Sequence, residues 1–217
     1  MKSLLVLGAA MAVVVGSAWA QVPARGTAPR GGTGTAEEGK VSIRRFPPAS
    51  RPALVRTPQY SANVSGLQSK LSGGRPREWA VFEVQYDTSA KWTDELAFTY
   101  HIMTLGKDEE GKEAYSYYTL TVRYIDIPAG PHMSCVMLPP SLVERYGEPV
   151  SIALEIMGKS GAVLESKSDS KIPYPSKEWW KDPQVMDSAQ VKRRPGLVDR
   201  SKTPFALINA DDYEVVQ

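Results

Sequence analysis

The 217 residues hold one cysteine and two histidines, and each scarcity removes a class of chemistry. A single thiol, Cys135, permits no internal disulfide. It sits in His132-Met133-Ser134-Cys135-Val136-Met137-Leu138, an apolar setting in which a cysteine acts as a small buried hydrophobe. His101 and His132 lie far apart, with no partners at ligand spacing, so no metal is expected. The chain lacks HExxH, CxxC and Asp-rich calcium-loop patterns, and also GxSxG. His132 and Ser134 share one face of a strand, yet no acid is placed to orient the imidazole. The carboxylate groups Asp94-Glu95, Asp108-Glu109-Glu110 and Asp211-Asp212 fall in loops or in the tail, where charge is normally solvated. No glycine-rich loop joins a strand to a helix, so nucleotide binding has no support. The expectation is a protein without catalysis and without a cofactor.

Net charge is also low, at +2, so the whole chain carries no nucleic-acid signature. The excess of positive over negative charge lies before residue 57. Arg25, Arg30, Lys40, Arg44, Arg45, Arg51 and Arg56 face only Glu37 and Glu38, and the remainder of the chain is slightly acidic. After Val15 there is no apolar run near the roughly 20 residues that span a bilayer.

The start of the chain reads as a signal peptide. Lys2 precedes an apolar run from Leu4 to Val15, and Ala18-Trp19-Ala20 presents small residues for cleavage before Gln21. The residue directly after that point is Gln21 and not cysteine, which argues against a lipid anchor. Residues 1–20 are therefore expected to be removed, and the mature chain to be exported to the periplasm or to the outer-membrane or cell surface. Residues 21–56 are rich in Gly, Pro, Thr and Arg, with little apolar content to repay ordering, and read as a flexible basic arm.

From Glu78 the hydrophobic period becomes two. Ala80, Phe82, Val84 and Tyr86 fall on one face, and Leu96, Phe98, Tyr100 and Ile102 repeat the pattern. Tyr118, Leu120, Val122 and Tyr124 mark a third strand, which Pro128-Ala129-Gly130-Pro131 is expected to break before a fourth at His132 to Leu138. A short turn or helix from Pro139 to Tyr146 should stop at Gly147. Val150 to Ile156 and Ala162 to Ser168 form a hairpin around Gly158-Lys159-Ser160-Gly161. Six strands with polar turns predict an all-β domain over residues 57–175, best described as an antiparallel immunoglobulin-like sandwich, with a partly open barrel as the alternative. Residues 176–217 carry a Trp-containing turn at Ser176 to Asp182, then an extended tail.

Three features offer binding. Trp179-Trp180 suit an interface or a sugar-stacking site, or else cap the core. Tyr115 and Tyr117 share a strand face and form a candidate exposed strip. Arg44 and Arg45 in the arm suit a glycan or another anionic envelope polymer. In the tail, Phe205 and Leu207 lie on one side of an extended segment that is expected to add to a sheet edge, in the same subunit or a neighbour.

The strands from Trp79 to Ser168, Glu178-Trp179-Trp180-Lys181-Asp182, and the tail Asp199 to Ile208 with Asp212-Tyr213-Glu214 resemble a group of exported verrucomicrobial proteins. That group is associated with type IV pilus-like gene clusters and has an Ig-like domain. The resemblance covers about the last two thirds of the chain and implies an envelope- or pilus-associated role with protein partners. Loss of the apolar N-terminal helix departs from a pilin and points to an accessory or surface component. A carbohydrate-binding module using Trp179, Trp180 and the tyrosine strip is the rival reading. A hydrolase without a recognisable site ranks third.

Overall fold

The computed structural model describes residues 40–49, 52–58, 61–64, 67–70, 76–206 and 215–216. The expected signal peptide and residues 21–39 of the arm lie outside them, as does Leu207.

Two long strands dominate: β5 (Glu78–Lys107) and β6 (Glu113–Leu138), after four short ones, β1 (Val41–Arg45), β2 (Ala53–Arg56), β3 (Ser61–Val64) and β4 (Leu67–Lys70). Next come α1 (Pro140–Tyr146), β7 (Glu148–Gly158), β8 (Val163–Ser170), α2 (Pro183–Met186), β9 (Val191–Arg193), β10 (Val198–Asp199) and β11 (Val215–Val216). β3 and β4 pair only with each other. The other strands belong to one open sheet, mixed because β9 runs parallel to β6 while its other pairings are antiparallel.

The all-β expectation holds, but the strand breaks do not. The first two expected strands are one continuous β5, and the third and fourth are one continuous β6. A bulge replaces the break. Thr88 pairs with Gly130 and Trp92 with Pro128, so four steps along β5 match two along β6. Surplus residues on one strand bend a ribbon and increase its twist, and a bulge is also where proline is tolerated in a ladder. Asp126 at φ 55 adds a left-handed kink on β6.

The bend turns the apolar faces of the two ribbon halves towards each other. Phe82, Val84 and Tyr86 from one half share a core with Phe98, Tyr100, Tyr118, Val122 and Tyr124 from the other, and with Ile152, Leu154 and Ile156 of β7. Tyr86 and Phe98 lie 4.7 Å apart between ring centroids, and the Tyr100 hydroxyl donates to Ser134 at 2.8 Å. The period of two in the sequence thus maps directly onto the inner face.

The hairpin β7–β8 forms as expected, with Gly161 at φ 81 in its turn. α1 stops at Gly147, whose φ is 89 and where a Cβ would fall 1.8 Å from the Leu105 carbonyl oxygen. No other residue fits that approach.

Part of the expected arm is ordered strand. β1 pairs with Gln85 to Thr88, and β2 with Glu78 to Val81, both on the edge of β5 opposite β6. Val41 and Ala49 are buried, and the Ala49 amide donates to the Asp169 carboxylate at 2.7 Å, which ties this segment to β8. Val41 and Ile43 alternate too briefly among charged neighbours for the pattern to register as a strand in sequence.

Candidate functional site

The outer face of the second half of the ribbon is covered by residues 172–191, which buries two of the expected binding features. Trp179 and Trp180 are 1% and 7% exposed and form a second core with Met103, Tyr117, Val150, Ala153 and Met186. Trp179 stacks on Tyr174 at 5.4 Å and meets Tyr117 edge-on at 6.4 Å. Tyr117 is buried and Tyr115 half-buried against the same cluster, so the tyrosines are not an exposed strip. Neither the Trp pair nor Tyr117 presents a free face for sugar stacking. The Trp element consists of a 3-10 turn, Trp179–Lys181, followed by α2, with Asp182 as the capping residue whose carboxylate accepts from the Gln184 amide at 2.9 Å.

Beneath Trp180 lies a polar cluster drawn from three strands and the turn. The His101 ring stacks on Trp180 at 5.7 Å, and its Nδ1 is 2.6 Å from the Tyr117 hydroxyl. With the tyrosine as donor, the proton of the neutral ring sits on Nε2, which faces Glu155 Oε2 at 3.5 Å. Lys181 Nζ closes the group, 2.6 Å from Glu155 Oε1. Burial lowers the His101 pKa to about 4; the Glu155 carboxylate acts in the opposite direction without overcoming it. Burial would raise Glu155, but the hydrogen bond from Lys181 and its charge hold the carboxyl below its usual range. The arrangement is that of a latch holding the Trp turn to the sheet. No sequence spacing announces it, because its members are brought together only by strand register.

The latch carries a pH prediction. A folded-state pKa below the unfolded value means that the unfolded chain binds the proton first as pH falls. Stability is then fully present above pH 6.5 and is lost as pH falls through about 4. The loss should be about 3 kcal/mol at about 1.4 kcal/mol per unit. Urea unfolding at intervals from pH 7 to pH 4 measures it, and His101→Gln should flatten that part of the curve.

The other histidine is also committed to structure. His132 Nε2 lies 2.8 Å from the Pro128 carbonyl oxygen, and its ring packs on Tyr86. Ser134 bonds Tyr100 and Tyr124. Cys135 is buried and points to the opposite face, beside Val81, Met137 and Phe205. Burial pushes its thiol up to about 12. Iodoacetamide at pH 8 should therefore leave the folded protein unlabelled and modify it in urea. Stoichiometric labelling of the folded chain would contradict that burial. Among the described residues no group of three or more His, Cys, Asp or Glu is gathered as a metal site.

Phe205 does dock onto its own subunit, but from a turn rather than a strand. It is buried edge-on against Trp79 at 5.9 Å, after the 3-10 turn Arg200–Lys202. The strand additions come instead from β10, which pairs Val198 with Met137, and from β11 beside Tyr124 and Ile125. Arg44 and Arg45 are both exposed on β1, and Arg44 is ion-paired with Asp87. Two residues that the sequence reading missed are Leu54 and Val55 of β2, at 55% and 38% exposed. The apolar run Ala53-Leu54-Val55 is the signal that marks them, within a segment otherwise read as an arm.

Comparison with known proteins places this architecture. A family model matches residues 35–217, most of the chain. The chain belongs to that family. The matched range begins before β1 and covers β1 and β2 as well as the ribbon. Among solved structures, the chain is similar to a crystal structure of a protein from the verrucomicrobium Akkermansia muciniphila. The match has a TM-score of 0.61 at 20% identity and covers 82% of this chain and 92% of that one. At that identity the likeness speaks for the fold. No curated protein matches the chain.

Proposed function

We propose that this protein is an exported, non-enzymatic interaction protein of the cell envelope, acting as an accessory or surface component of a type IV pilus-like assembly. In this reading the two layers of the bent ribbon are an immunoglobulin-like sandwich in architecture. The observation that carries the reading is the edge at β2. All four of its residues are exposed, Leu54 and Val55 among them, and among the described residues it pairs with β5 on one side only. An apolar edge strand with free backbone groups takes up an extended strand from another chain. Family membership and the verrucomicrobial fold relative support the setting, and the N-terminal sequence pattern supports export.

Fractionating cells that express the chain tests the setting. The protein should be recovered with the envelope, with Gln21 as its first residue. Recovery in the cytoplasm with Met1 retained would overturn the proposal.

A further inference from the structure

A cleft of about 510 Å3 opens at the end of the ribbon where β5 turns into β6. Four cations line it: Lys107 at the end of β5, Arg145 in the last turn of α1, and Lys192 and Arg194 in and just after β9. None of the four is in an ion pair among the described residues. The acids across the cleft are largely committed within their own loop. Asp108 accepts the Glu110 and Lys112 amides, each at 2.9 Å, and Glu110 pairs with Lys112 at 2.7 Å. Among the described residues Glu109 is the one lining acid with no such partner.

Arg194 is held in place before any ligand arrives. Its amide donates to the Tyr117 carbonyl at 2.8 Å and its Nε to Ser116 Oγ at 2.8 Å, while the guanidinium lies 3.8 Å from the Tyr146 ring centroid. Arg145 flanks the same ring at 5.2 Å. Two guanidinium groups on one aromatic ring repel each other, and an anion within reach of both offsets that repulsion. A fixed guanidinium with its terminal N–H groups unused presents the fork that takes a carboxylate or phosphate in a bidentate manner.

We propose that this cleft is a binding site for a ligand bearing a multi-oxygen anion, a carboxylate or phosphate group, with Arg194 as the anchor and Arg145 and Lys192 completing the charge. The volume exceeds that of a bare ion and accommodates a sugar acid or a phosphorylated sugar unit, within the size range of small-molecule sites. The site is separate from the β2 edge and uses none of its residues.

Titration of the exported chain, followed by amide and arginine Nε–H NMR shifts, tests the assignment with inorganic phosphate, glucuronate and neutral glucose as probes. Phosphate, glucuronate or both should give saturable shifts at Ser116, Arg145 and Arg194 by roughly 10 mM, in excess of a millimolar Kd, with glucose silent. Saturation by phosphate alone assigns a phosphate ligand; saturation by glucuronate assigns a sugar acid. Arg194→Gln should weaken binding roughly tenfold or more. Lys192→Gln, at an exposed position that carries no packing, should weaken it several-fold, and added salt should do the same. Shifts from both anions as small and unsaturated as those from glucose would overturn the proposal. So would unchanged affinity both in Lys192→Gln and in an Arg194→Gln variant that remains folded.

Discussion

Trp179→Ala is expected to cost about 3–5 kcal/mol of stability, the range for removing a fully buried large aromatic side chain. Trp179 joins the 172–191 segment to the sheet, touching Tyr117 on β6, Tyr174 before the turn and Trp180 within it. Deleting it leaves a cavity where these rings meet and loosens the cover over His101 and Glu155. Its indole Nε1 is buried without a hydrogen-bond partner. Trp179→Phe should therefore cost much less, because it removes a polar group that is already unsatisfied. Urea denaturation of the two variants gives both numbers. A loss below about 1 kcal/mol for the alanine variant would mean that the Trp element lies on the surface rather than in a core.

Deleting residues 40–49 is expected to lower stability by more than about 3 kcal/mol, a fall of roughly 10 °C in Tm for a domain of this size. β1 contributes four register pairs to β5 and buries Val41 and Ala49. Its far end is fixed by the Ala49–Asp169 hydrogen bond and by Lys167 over the Phe46 ring at 5.9 Å. The segment therefore spans from the first half of the ribbon to β8, and its loss also bares another stretch of the β5 edge to aggregation. Differential scanning calorimetry decides it. An unchanged midpoint would return the segment to the status of a dispensable arm.

Part of this structure is legible in the sequence. Alternation over Ala80 to Tyr86, Leu96 to Ile102 and Tyr118 to Tyr124 marked the inner face correctly, because a strand with one buried face must repeat every second residue. The hairpin at Gly158 and the helix stop at Gly147 were legible because glycine supplies a backbone geometry that other residues avoid. The continuity of β5 and β6 was not legible. Pro128 and Pro131 read as a break, and only the partner strand's register reveals a bulge. β1 was hidden by composition, since its stability comes from pairing with residues as distant as Thr88. The Trp pair had two readings, and burial against Tyr117 and Met103 decides for the core. The cations of the cleft are scattered from Lys107 to Arg194, so nothing in their spacing joins them.

The proposed function turns on contact between the β2 edge and another envelope protein. A photo-crosslinking amino acid at position 54, irradiated in intact cells that express the chain with its native partners, tests it most directly. A discrete adduct containing an envelope protein is expected, absent when the same probe replaces exposed Lys177. No adduct from position 54, or the same faint pattern from both positions, would contradict it.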